Sequence, residues 1–214
     1  MTGKDLKDWG HDPICAQCYL GGSGIAAVFA AGADIVVCGR VADASVAVGP
    51  AMWWHGWTRD NLDELAGTLM LGHIIECSTY ATGGYYSGFK ELGIHDTDMG
   101  YPIAAIDHKG EGIVYMEKDR DGLVTPASIT SQLLYEIQGQ IYYNSDVAAN
   151  IENIRLEQVG KDQVKVSGVK GEYDIRINLP SPACGTIHPN VVCLRPPTTT
   201  NDQGRHYGPR GLPG

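Results

Sequence analysis

His73 and Glu76 stand three residues apart near the end of a predicted helix, so both side chains leave it on one face. An imidazole oriented by a carboxylate is what general acid–base chemistry needs, because the carboxylate fixes the ring and its proton. The same pair suits a metal only with further ligands from elsewhere, and a histidine at a helix end can simply satisfy the last carbonyls. Arg40 and Asp43 follow the apolar run Ile35-Val36-Val37-Cys38. A planar guanidinium there suits a carboxylate or phosphate, with an internal salt bridge as the alternative. Asp43 joins His73 and Glu76 as a candidate catalytic residue. Thr82-Gly83-Gly84 offers backbone N–H groups unobstructed by side chains, as an oxyanion or phosphate requires. With Arg40 and Trp54 it completes the expected substrate-binding set. Trp54 belongs to Trp53-Trp54-His55-Gly56-Trp57, which reads first as an interface and second as an apolar wall for a ligand.

Other motifs are weaker. Cys77 sits at a helix C-terminus, where the dipole raises a thiol pKa, so a small packed residue is expected rather than a nucleophile. Cys38, inside the strand-like run, reads as core. Cys15-Ala16-Gln17-Cys18 has zinc-like spacing but no second pair at the distance a closed site needs. Gly21-Gly22-Ser23-Gly24 precedes a helix and could cradle a phosphate, yet lacks the spacing and preceding strand of a dinucleotide fingerprint. No metal and no cofactor are expected.

These residues need a scaffold. Ile25 to Gly32 reads as a helix stopped by glycine, and Ile35 to Cys38 as a short buried strand. An apolar β-branched run without polar alternation suggests a parallel sheet covered on both faces. Gly39 to Ser45 then lies where a ligand-binding strand-to-helix loop would sit. Asn61 to Cys77 reads as a helix with one apolar stripe of Leu62, Leu65, Leu69 and Ile74 or Ile75, followed by a Gly, Thr and Tyr-rich loop from Ser78 to Gly88. Ile103 to Ile106 and Gly112 to Glu117 form a hairpin across Asp107-His108-Lys109-Gly110. Thr125-Pro126 opens a helix to Gln138. Two strands, Ile154 to Val159 and Gln163 to Val169, meet at Gly160-Lys161-Asp162. The expected fold class is α/β, a mostly parallel sheet flanked by helices with an added hairpin region. Residues 1–180 form a single domain, and 181–214 a flexible Pro/Gly-rich tail.

The 214 residues carry a formal net charge of −9 with no basic patch, which argues against nucleic acid. No apolar stretch reaches the roughly 18 to 20 residues that span a bilayer, and the polar N-terminus is no secretory signal. A cytoplasmic protein with no membrane partner is expected. Six cysteines without framework spacing suggest free thiols.

Five segments in order, Gly32 to Ser45, Gly72 to Cys77, Thr82 to Gly84, Gly122 to Thr125 and Gln132 to Glu136, resemble the blocks of the acyclic terpene utilisation family. The likeness runs from about Tyr19 to Gly171, with the N-terminus shortened relative to the family and a more charged Glu117 to Gly122 loop. The resemblance implies a role in the breakdown of branched isoprenoids as acyl thioesters. The function expected is acid–base chemistry, by hydration, lyase or hydrolysis steps, on a carbonyl-bearing, largely apolar small molecule in a homo-oligomer. The loops after Cys38 and Cys77 would then face one cleft. A non-catalytic subunit acting through oligomerisation or partner binding is the alternative.

Overall fold

The computed structural model describes residues 17–91, 98–173 and 191–194, with residues 8, 10 and 14. In chain order it holds α1 (Ser23–Ala30), β1 (Ile35–Cys38), α2 (Ser45–His55), α3 (Leu62–Glu76), β2 (Pro102–Ile106), β3 (Gly112–Met116), α4 (Pro126–Leu134), β4 (Ile141–Tyr143), β5 (Ala148–Asn150), β6 (Arg155–Gly160), β7 (Gln163–Ser167), β8 (Lys170–Glu172) and β9 (Val191–Leu194). The strands form three sheets, ordered β2-β3-β7-β6, β4-β5-β8 and β1-β9. Every pairing of named strands is antiparallel. Among the described residues the one parallel contact is an isolated bridge between Leu20 and Val41.

The expected mostly parallel sheet is therefore wrong, and the fold is a mixture of helices and antiparallel sheets. The error lies in β1. Its apolar run fits a central strand, but β1 is half of a two-stranded sheet, and Ile35 and Val37 are 54% and 51% exposed. Its partner β9 falls in the stretch read as a tail; the rest of 174–214 lies outside the described residues. Cys38 is likewise half-buried rather than core, with its thiol pKa pushed up by burial.

Helix α3 is the centre of the molecule. An expected single stripe becomes unbroken burial from Leu65 to Ile74, because α2 and α4 and strands of two sheets pack around it. The main core joins its Leu65, Leu69, Met70 and Ile74 to Val48 of α2, Val114 of β3, Val164 and Val166 of β7 and Ile129 and Leu133 of α4. Helices α2 and α3 cross closely at Gly72, where a Cβ would lie 2.7 Å from the Ala44 carbonyl oxygen. Both expected hairpins form, β2–β3 across 107–110 and β6–β7 across 161–162. Helix α4 starts as its sequence suggests: Thr125 and Ser128 exchange capping hydrogen bonds around Pro126. It ends at Leu134, four residues before the expected limit. No helix among the described residues is long and apolar enough to cross a membrane.

The glycine-rich turn before α1 holds a carboxylate from within the chain. Asp146 accepts from the Gly22 N–H at 2.7 Å and from the Ser45 hydroxyl at 2.7 Å, tying the starts of α1 and α2 together. Asp146→Ala leaves both donors without that acceptor and is expected to cost about 2–3 kcal/mol, read from the urea midpoint. Burial pushes the Asp146 carboxyl pKa up, against the opposing hydrogen bonds from Ser45 and Gly22. Protonated Asp146 thus favours the folded state. Its contribution is complete below the unfolded value of about 3.9 and is lost as pH rises through the higher folded value. Asp146→Asn should abolish that slope; an unchanged profile means Asp146 does not titrate on folding.

Candidate functional site

Two helices end at one place. Glu76 is the last residue of α3, and Glu136 lies two residues beyond the end of α4. His73, one turn before the end of α3, is fully buried between them. Its Nε2 lies 3.2 Å from the Leu133 carbonyl oxygen in the last turn of α4, and in return the Gln132 side-chain Nε2 donates to the His73 carbonyl at 3.1 Å. A carbonyl can only accept, so Nε2 carries a hydrogen. On the other side of the ring, Nδ1 lies 3.1 Å from Glu76 Oε1 and 3.4 Å from Glu136 Oε1.

That arrangement fixes a charge relationship. With Nε2–H used, a neutral ring would point the Nδ1 lone pair at two carboxylate oxygens. A proton among the three heteroatoms removes the repulsion. The pattern is anomalous for helix ends too, because carboxylates there oppose the dipole and cations are favoured. No Lys or Arg pairs with Glu76 or Glu136 among the described residues.

Aromatic side chains lead from this centre outward. Tyr135 stacks on His73 with centroids 5.6 Å apart and planes within 2°, and Tyr142 lies at 5.1 Å, tilted. Tyr80 and Tyr85 stack at 5.2 Å and meet Tyr135 edge-on. Both are well exposed, as is Glu136 at 41%, whereas the Glu76 side chain is only 7% exposed. Ser78, at φ 57°, turns the chain sharply after Cys77 into the short helical turn that carries Tyr80. Tyr142 donates to Glu136 Oε1 at 3.1 Å. Burial, then the charges of Glu136 and Glu76, drive the Tyr142 phenol well above its usual pKa. Burial also raises Tyr135, followed by its hydrogen bonds with Cys77 and Glu136. Both phenols therefore stay protonated, and Tyr142 serves Glu136 as a donor.

The sequence-derived set divides. His73 and Glu76 pair as their spacing suggests, and His73 also takes the bland role considered for it, since it satisfies a carbonyl at a helix end, though that of α4. Arg40 is exposed and stands over the Tyr19 ring, 5.3 Å from its centroid. Asp43 is exposed, and no ion pair joins it to Arg40 among the described residues. The Gly83 and Gly84 N–H groups are spent on the Tyr80 and Thr79 carbonyls. Buried Thr82 donates to the Thr79 and Gly100 carbonyls. Beside that loop, a hollow of about 310 Å³ is lined by Thr79, Gly100, Tyr101 and Arg120 among others, and Arg120 already binds Asp98 and Glu117. Neither His73 nor Arg40 lines it. Trp54 sits on α2 and contacts Trp53 edge-on, while Trp53 stacks on Phe29 of α1. No hydrogen bond, ion pair or ring contact joins Arg40, Asp43, Thr82, Gly83, Gly84 or Trp54 to His73 among the described residues. Cys15 lies outside the described residues; Cys18, Cys38 and Cys77 are free thiols.

Glu136, Tyr135 and Tyr142 were not among the candidates. A signal was present: Tyr135-Glu136 closes the last of the five blocks, and an acid just past a helix C-terminus works against the dipole unless something positive meets it.

The chain is thus a protein of mixed helices and antiparallel sheets, with a half-buried acid–base cluster where two helix C-termini meet. It belongs to the acyclic terpene utilisation family: the family profile described as Acyclic terpene utilisation family protein AtuA matches residues 1–175. No curated protein and no solved structure matches it. Membership suggests involvement in the use of acyclic terpenes without naming a catalytic step.

Proposed function

We propose that this protein is a cytoplasmic acid–base enzyme acting on a carbonyl-bearing, largely apolar metabolite, isoprenoid-like or an acyl thioester, by hydration, elimination or hydrolysis. The observation that carries this reading is the position of His73 Nδ1 between Glu76 and Glu136, one carboxylate buried and the other at the surface. A proton held among these atoms has a path from the interior to solvent through Glu136. Glu136 exchanges it with the substrate, while His73 and Glu76 hold it in reserve. The exposed rings of Tyr80 and Tyr85 beside Tyr135 offer apolar faces to a branched hydrocarbon chain. Arg40, Asp43 and the Thr82 loop make no hydrogen bond, ion pair or ring contact with His73 among the described residues, and no role is assigned to them.

Glu136→Gln tests it, because Glu136 is exposed and its replacement spares the core. In a deletion strain supplied with an acyclic terpene, the wild-type gene should clear the accumulating metabolite. The variant, present at equal level and with an unchanged melting temperature, should be slower by about 10²-fold or more. Equal clearance removes the assigned role.

A further inference from the structure

We infer that His73 Nδ1, Glu76 and Glu136 form a binding site for a divalent cation of the zinc type. Three ligand atoms, one from each residue, lie within 4.8 Å of one another. Two of the separations are 3.1 and 3.4 Å. Ligands bound at about 2.0–2.1 Å in a tetrahedron stand about 3.3 Å apart, so each carboxylate already stands from Nδ1 at nearly the spacing that such an ion imposes, and the two carboxylates lie within 4.8 Å of each other.

The surroundings favour a cation as well. Nδ1 presents its lone pair inward only because Nε2–H is held by the Leu133 carbonyl, and a backbone carbonyl is a common orienting partner of a metal-bound histidine. Tyr142 holds Glu136 in the same way. Independently of the cluster's own contacts, Glu76 Oε2 is buried and has no hydrogen-bond partner among the described residues. An unpaired carboxylate oxygen in the interior is costly unless positive charge stands near it. Two carboxylates and the C-termini of α3 and α4 converge here, and among the described residues no Lys or Arg forms an ion pair with either carboxylate. One imidazole with two carboxylates suits zinc better than magnesium or calcium, which favour oxygen ligands alone. Glu136 lies at the surface, which leaves a fourth position for water.

This inference rests on the acid–base reading for its consequence: a cation there displaces the shared proton and lowers the pKa of a bound water towards about 7. The binding itself does not depend on the reaction.

The test is zinc titration of the purified full chain after chelator treatment, by calorimetry, together with cobalt(II) substitution followed by visible absorption. The expected result is one zinc per chain and the cobalt spectrum of a four-coordinate site. In Glu76→Gln and Glu136→Gln the affinity should fall by at least about 10–100-fold, the loss typical of even an outer-shell partner. Should Glu76→Gln fail to fold, Glu136→Gln alone decides. Absence of zinc binding, or binding of equal strength in Glu136→Gln, overturns the proposal. The two readings separate cleanly. Zinc affinity lost in Glu136→Gln with clearance intact leaves the cation site standing and removes the acid–base role. Clearance lost in Glu136→Gln, with a wild type that never takes up zinc, does the reverse.

Discussion

Replacing His73 by alanine is expected to destabilise the protein by about 3–5 kcal/mol, seen as a melting temperature lower by roughly 10 °C. Three losses add. The ring is fully buried and packs against Tyr135 and Tyr142, so its removal leaves a void. The Leu133 carbonyl loses the N–H that satisfies it near the end of α4. Glu76, buried with Oε2 already unpartnered, also loses the Nδ1 contact of Oε1. The last term is the largest, since it strands a carboxylate in the interior. A melting temperature within a degree or two of the parent is incompatible with this burial. The consequence for enzymology is direct: loss of turnover in His73→Ala cannot be separated from loss of fold. Substitution at exposed Glu136 can be, so the functional test belongs there.

How far the sequence reveals this site follows from which forces are local. Capping at Thr125-Pro126 and the two hairpin turns depend on neighbouring residues, and they form where expected. The His73–Glu76 pair depends on helical spacing alone and is equally legible. The third member is not, because Glu136 meets His73 only through the packing of α4 on α3, some sixty residues apart in the chain. The reading of β1 fails for a related reason. A short apolar run is equally compatible with a central strand and with an edge whose partner comes from far away, and periodicity does not distinguish them. Strands β4, β5 and β8 have three residues each, too few for any alternation to register. The expected convergence of Arg40 and Asp43 with His73 leans on β1 as a central strand, whereas Thr82-Gly83-Gly84 is read from its backbone N–H groups, of which the structure shows those of Gly83 and Gly84 donating to the Tyr80 and Thr79 carbonyls. What remained was the part of the site that a single helix encodes.

Gly110→Ala is expected to cost about 3–5 kcal/mol, as overpacking and a left-handed backbone act together. Gly110 sits at φ 73° in the β2–β3 turn, where a side chain is strained before any contact is counted. Its Cβ would also fall on the backbone of α3, 2.6 Å from the Glu64 Cα and 2.8 Å from the Glu64 carbonyl carbon, with the Glu64 oxygen closer still. Backbone at the start of a central helix cannot yield as a flexible side chain can. Across the same contact, a Cβ on Gly67 would lie 2.9 Å from the Gly110 carbonyl carbon and closer to its oxygen. Alanine in a helix interior ordinarily gains about 1 kcal/mol over glycine, so a destabilising Gly67→Ala reverses the propensity and reports the docking of the turn on α3. Once either methyl has pushed the turn away, the second meets less resistance, and the double variant should lose less than the sum of the two single losses. Urea midpoints of the four proteins measure this. Additive losses, or a stabilised Gly67→Ala, would mean that the hairpin does not rest on α3. The helix that carries His73 and Glu76 would then be held in place by its other neighbours alone.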